Sequence, residues 1–97
     1  MRLEFSNRAI ADLRQISQRS RQSFGDVVAL ELEARIRLAV KRIVDHPTGA
    51  PRVDGQADIW VVPLVRYPFK IFYRVRDDTV RILHIRHTSQ RPWTGSS

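Results

Sequence analysis

Phe69-Lys70-Ile71-Phe72-Tyr73-Arg74-Val75-Arg76-Asp77-Asp78-Thr79-Val80-Arg81-Ile82-Leu83-His84-Ile85-Arg86-His87 is the stretch whose reading decides the fold. Its first half has a period of two. Phe69, Ile71, Tyr73 and Val75 alternate with Lys70, Phe72, Arg74 and Arg76. That pattern predicts a strand with one apolar face and one basic face, the latter interrupted by Phe72. Asp77-Asp78 is a hairpin turn, because Asp tolerates the turn backbone and hydrogen-bonds to it locally. Thr79 to His87 is then the returning strand. It is apolar on both sides, with Val80 and Ile82 on one and Leu83 and Ile85 on the other, and this predicts a central position in a sheet.

Upstream, Tyr67-Pro68 marks a turn. Ile59 to Val65 reads as another strand, and Pro63 inside it lacks a ladder N–H, so the strand belongs at an edge. Gly49 to Asp58, with Pro51, Arg52, Asp54 and Gly55, is a polar loop. Before it the period becomes helical. Val28, Leu32, Ile36, Ala39, Val40 and Ile43 form a continuous apolar stripe, stopped by His46-Pro47-Thr48-Gly49. Glu31 and Glu33 precede Arg35, Arg37, Lys41 and Arg42, an order that complements the helix dipole. Asp26 is the expected N-cap. Ala9, Leu13, Ile16 and Ser20 predict an earlier amphipathic helix, opened by Ser6 or Asn7 and closed near Gly25. Arg2 to Phe5 alternates and predicts a short strand. The order β-α-α-β-β-β describes an α+β, two-layer fold: a helical hairpin packed on a mostly antiparallel sheet.

Ninety-seven residues, 42% of them hydrophobic, suit one small globular domain. We expect it to span residues 1–93, with Thr94-Gly95-Ser96-Ser97 a short flexible tail. No apolar run is long enough for a membrane span and no leader-like segment opens the chain. Cysteine is absent, so disulfides and thiolate metal sites are excluded. The three histidines, His46, His84 and His87, are too scattered for a zinc site, and no metal or cofactor is expected. A cytoplasmic location follows as an expectation. Lys and Arg number 17 against 10 Asp and Glu, a net charge of +7. That field suits a polyanionic or acidic partner.

Chemistry is concentrated near the end of the chain. Lys70, Phe72 and Arg74 are expected on the sheet face that the helices leave open, where cations and an aromatic ring suit nucleic acid. The bland alternative is long basic stems covering apolar sheet surface. His87 and Arg91 would be the acid/base and phosphate-stabilising groups of a phosphodiesterase. His84 lies three positions from His87, so on a strand the two face opposite ways. No nucleophile elbow and no phosphate-binding glycine loop is present.

The chain resembles the RelE/ParE superfamily of toxins from bacterial type II toxin–antitoxin modules. The residues that carry the resemblance are Leu3-Glu4-Phe5-Ser6 with Ala9, Asp12-Leu13 and Ile16, then Ile36 with Ile43-Val44-Asp45-His46-Pro47. Arg66 to Val75, Val80 to His87 and Arg91-Pro92 complete it, from Leu3 to Trp93. The resemblance implies the RelE/ParE toxin-like fold and a cognate acidic antitoxin that folds on binding. RelE-like members cleave mRNA on the ribosome without metal, whereas ParE-like members inhibit DNA gyrase. The positions of two catalytic lysines of the RelE pattern fall here on Val61 and Pro63. Lys70 and Arg91 match further basic positions, Trp93 is the aromatic nearest the RelE tail tyrosine, and His87 matches histidines that related nucleases use. Tyr67-Pro68-Phe69 and the His87 to Arg91 ending resemble the ParE-like, plasmid-stabilisation branch.

The sequence therefore reads as a ParE-like gyrase inhibitor. A metal-independent, ribosome-dependent mRNA endoribonuclease, with Lys70, His87 and Arg91 as its catalytic groups, is the alternative. A non-toxic basic nucleic-acid-binding module is a second. Expected contacts with the target or nucleic acid are Arg66, Lys70, Phe72, Arg74, His87, Arg91 and Trp93. Expected antitoxin contacts are Arg14, Arg35, Lys70 and Arg74.

Overall fold

The structure, a computed structural model, describes residues 1–53 and 58–90. The elements follow the predicted order: β1 (Arg2–Phe5), α1 (Asn7–Phe24), α2 (Asp26–Asp45), β2 (Ile59–Pro63), β3 (Phe69–Arg76) and β4 (Thr79–His87). They form one four-stranded sheet in the order β1-β4-β3-β2. β1 runs parallel to β4, while β2–β3 and β3–β4 are antiparallel. β4 is central and β2, with Pro63, lies at the end of this order, as its sequence requires. β2 stops at Pro63, two residues short of the expected end.

The helical hairpin turns on Gly25. Its φ of +88° is left-handed backbone, which L side chains rarely adopt. Its N–H closes α1 on the Arg21 carbonyl (3.0 Å), and its own carbonyl accepts from Ala29 N (3.2 Å) to open α2. Asp26 is therefore not the cap: it is the first residue of α2, and α2 has no side-chain capping bond. Its carboxylate still lies in the first turn, where the helix dipole favours negative charge. A polar clasp joins the two helices. Ser17 Oγ donates to Glu33 Oε1, and Arg21 Nη1 lies 3.1 Å from the same oxygen.

Ala9 and Ile16 of α1, and Leu32, Ile36, Val40 and Ile43 of α2, meet Ile71, Tyr73, Val80, Ile82 and Ile85 of the sheet in one core. Tyr73 is fully buried, and its hydroxyl donates to the Pro47 carbonyl at 2.7 Å. That bond anchors the segment leaving α2 to the middle of β3.

β4 is not apolar on both faces. Tyr73 pairs with Ile82 and Phe72 with His84, so Leu83 is an extra, bulged residue. The bulge moves the parity by one. Val80 and Ile82 face the helices before it, and Ile85 faces them after it. Single-faced packing with a bulge produces the same sequence pattern as double-faced burial.

Candidate functional site

The bulge lies where β1 ends and α1 begins. Pairing with β1 stops at Phe5–Ile82, which would leave the β4 edge bare beyond that point. Side chains at the start of α1 take over. Ser6 is the N-cap, its Oγ accepting from Ala9 N (3.0 Å) and donating to the Leu83 carbonyl (2.8 Å). One turn on, Asp12 Oδ2 accepts from Ile85 N at 2.9 Å and lies 2.5 Å from His84 Nδ1. His84 is buried and its ring stacks on Phe72. Burial pushes the His84 imidazole below its ordinary value, opposed by the hydrogen bond and charge of Asp12.

The sheet face opposite the helices is basic. Residues directly opposite in antiparallel strands share a face. Lys70 pairs with Arg86, Phe72 with His84, and Arg74 with Arg81, so like charges sit across from each other on either side of a buried ring pair. Asp58 and Glu4 offset part of this charge. Asp58 Oδ2 lies 3.0 Å from Arg74 Nε and is also bonded by Arg76, and Arg81 lies 3.9 Å from Glu4. The Arg76 hydrogen bond lowers the carboxyl pKa of Asp58.

Phe72 corrects an expectation. It lies on the predicted face but is only 6% exposed, so its ring is not offered to a base. Lys70 is exposed there and Arg74 is half-buried. His87 lies on the other face, paired with Phe69 and in edge contact with its ring at 5.3 Å. Its Nδ1 accepts from Ser89 N (3.0 Å), which leaves the neutral ring proton on Nε2. Lys70 and His87 are thus on opposite faces. Arg91 and Trp93, also expected as site residues, lie outside the described residues, as does the tail 94–97. Arg66 sits in the turn before β3 with φ +75°, exposed, 3.9 Å from Glu31 of α2.

A third surface is apolar. Leu3 and Phe5 of β1, Leu13 and Ile16 of α1, and Leu32, Ile36, Val40 and Val44 of α2 line a groove of about 980 Å³. Arg14, Arg21, Arg37 and Lys41 also line it, with Glu33 the one acidic group. The four residues expected to meet an antitoxin are not brought together. Arg14 lines this groove, whereas Arg35 lines a separate cleft with Leu38, Arg42 and Val61 to Val65. Lys70 and Arg74 lie on the far sheet face. Sequence reasoning missed Arg81 and the Asp12–His84 pair. The first was within reach, because the two-residue turn at Asp77-Asp78 sets Arg74 opposite Arg81. Among the described residues, no cluster of three or more His, Cys, Asp or Glu side chains could hold a metal. None of their helices is long and apolar enough to cross a membrane.

Comparison with known proteins agrees with this architecture. A chain of the chromosomal ParDE TA system from P. aeruginosa superposes with a TM-score of 0.81 at 28% identity, covering 92% of this chain and 97% of that one. The isolated E. coli RelE toxin superposes at 0.63 and 18% identity, covering 93% of this chain and 86% of that one. RelE–RelB structures are represented by the intact E. coli RelBE toxin–antitoxin complex, at 0.62 and 19%, covering 93% and 98%. The RelE matches establish the shared fold. No curated protein matches the sequence. The family model for the ParE toxin of the type II toxin–antitoxin system parDE matches residues 3–92, and with that match the chain belongs to the ParE toxins of the RelE/ParE superfamily.

Proposed function

We propose that this ParE-family toxin acts on DNA gyrase and is neutralised by a cognate acidic antitoxin, rather than cleaving mRNA. The observation that carries the reading is the match to the ParE family over residues 3–92, at 28% identity to the ParDE chain against 18% to isolated RelE. The site geometry supports it. Val61 and Pro63 occupy the β2 positions that the RelE pattern gives to lysine. Lys70 and His87 project from opposite faces of the sheet, so they do not converge on one phosphodiester.

The antitoxin's place in this reading is the groove between β1, α1 and α2. An amphipathic segment would bury its apolar side against Leu13, Ile36 and Val40 and set its carboxylates beside Arg14, Arg37 and Lys41. Attraction of that kind speeds encounter and weakens with salt. The basic face bearing Lys70, Arg74, Arg81 and Arg86 is then the surface offered to the gyrase–DNA target.

The test is a paired assay on the purified protein. We expect loss of gyrase supercoiling while ribosome-bound mRNA stays intact, with His87→Ala retaining toxicity. Codon-positioned cleavage by the wild type, abolished in His87→Ala, would instead establish the endoribonuclease. The antitoxin half is tested by pull-down with the product of the adjacent gene, where no complex at low salt removes it.

A further inference from the structure

α2 carries a second apolar stripe that the core does not use. The inner stripe, Ala29, Leu32, Ile36, Val40 and Ile43, is 0–6% exposed. On the opposite side, Val27, Leu30 and Leu38 are 80%, 57% and 46% exposed, and Ala34 between them is exposed as well. Single exposed apolar side chains need no explanation. Steps of three, four and four along one helix face are a seam, and a helix apolar on two sides is normally covered on both.

The charges beside this seam choose its occupant. Asp26 and Glu31 flank its N-terminal half, and Arg35 and Lys41 its C-terminal half. An acidic segment laid here would meet carboxylates over half its length, unlike in the groove lined by Arg14, Arg37 and Lys41. A second copy of α2 running antiparallel meets the opposite sign at both ends. Centred on Ala34, such a pair sets Leu30 against Leu38 of the other copy. It also sets Glu31 near the other copy's Arg35 and Asp26 near the other copy's Lys41, each pairing made twice. The alanine methyl at the crossing permits close helix approach, roughly 8 Å between axes. Glu31 lies 3.9 Å from Arg66 within the chain, but its side chain is 46% exposed and open to a second cation.

We propose that the outer face of α2 is an interface between two copies of this chain, packed antiparallel about a two-fold axis at Ala34. The contact is isologous: one patch is both donor and recipient, so it closes at a dimer. It shares Lys41 with the rim of the antitoxin groove and leaves the gyrase reading as a separate question.

The absence of cysteine makes the test clean. Ala34→Cys places one thiol on the axis, where the two Cα atoms come within disulfide range. Mild oxidation should link it into a covalent dimer much faster than Ala11→Cys on the exposed side of α1. Sedimentation equilibrium of the wild type over micromolar to submillimolar concentration should show reversible dimerisation. Leu38→Asp should raise the dissociation constant at least tenfold while the helical circular dichroism is unchanged. Glu31→Arg should weaken the dimer, and Glu31→Arg with Arg35→Glu should restore it. A wild type that stays monomeric throughout, with Ala34→Cys linking no faster than Ala11→Cys, overturns the proposal. So does a dimer indifferent to Leu38→Asp.

Discussion

His84 and Asp12 show how one buried pair can make the molecule sensitive to acid. Burial holds the folded-state pKa of His84 below its ordinary 6.5, so the unfolded chain takes up the proton first as pH falls. Stability is therefore whole above about pH 6.5 and declines as acidification proceeds toward the depressed folded value. Glu33 and Asp58 are shifted down from ordinary carboxylate values. Their contribution is lost only below about pH 4.5, through the folded values, so it does not mask the histidine. Urea midpoints should fall between about pH 7.5 and 5 in the wild type, and the slope should flatten in His84→Phe. An unchanged slope in that variant would place the titration elsewhere. Tyr73 offers a second residue-scale test. Tyr73→Phe removes the donor to the Pro47 carbonyl and should cost about 1–2 kcal/mol in denaturant unfolding.

Among the elements, the β3–β4 hairpin was the most legible in sequence and the β4 bulge the least. Asp77 and Asp78 adopt φ of +50° and +59°, both left-handed, which suits a tight two-residue turn and fixes the pairing from Arg76–Thr79 inward. Leu83 gave no such sign, since it looks like one more apolar position. Its role depends on where β1 stops and on Ser6 and Asp12 reaching the β4 edge, contacts between residues more than seventy positions apart. Deleting Leu83 removes the extra residue and joins Ile82 to His84 in regular alternation, so Ile85 should stay on the helix side and thermal unfolding should stay cooperative, the loss being confined to the Ser6 bond. Ser6→Ala removes a helix cap and the Leu83 bond together and should cost about 1–2 kcal/mol. Leu32, Ile36, Val40 and Ile43 of the α2 stripe are buried as their spacing predicts, while Ala29 holds the buried place expected of Val28. Ile36, 4% exposed, should cost about 2–5 kcal/mol as Ile36→Ala. A midpoint shift worth well under 1 kcal/mol would mean that α2 packs more loosely than its burial implies.

On the scale of the whole molecule, charge was legible as a sum and not as a distribution. A net +7 indicated an acidic partner, but the sequence did not show that Arg14, Arg35 and Lys70 would belong to three different surfaces. That separation is set by register and helix facing, which are properties of the assembled layers. It also makes charge removal selective. Arg14→Ala with Lys41→Ala should weaken antitoxin capture and flatten its salt dependence while sparing gyrase inhibition. Lys70→Ala with Arg81→Ala should do the reverse. Surface plasmon resonance against the antitoxin and a supercoiling assay, run on both variants, would separate the two faces. The order β1-β4-β3-β2 has one more consequence. The strand at the middle of the sheet is the last of the described strands to be synthesised, and both β1 and β3 hydrogen-bond to it. While the chain is still emerging from the ribosome, the α1–α2 hairpin can form from local contacts, but the sheet lacks its centre. The basic face is assembled only when β4 arrives, so a ribosome stalled before Thr79 would carry a nascent chain in which that face is unfinished.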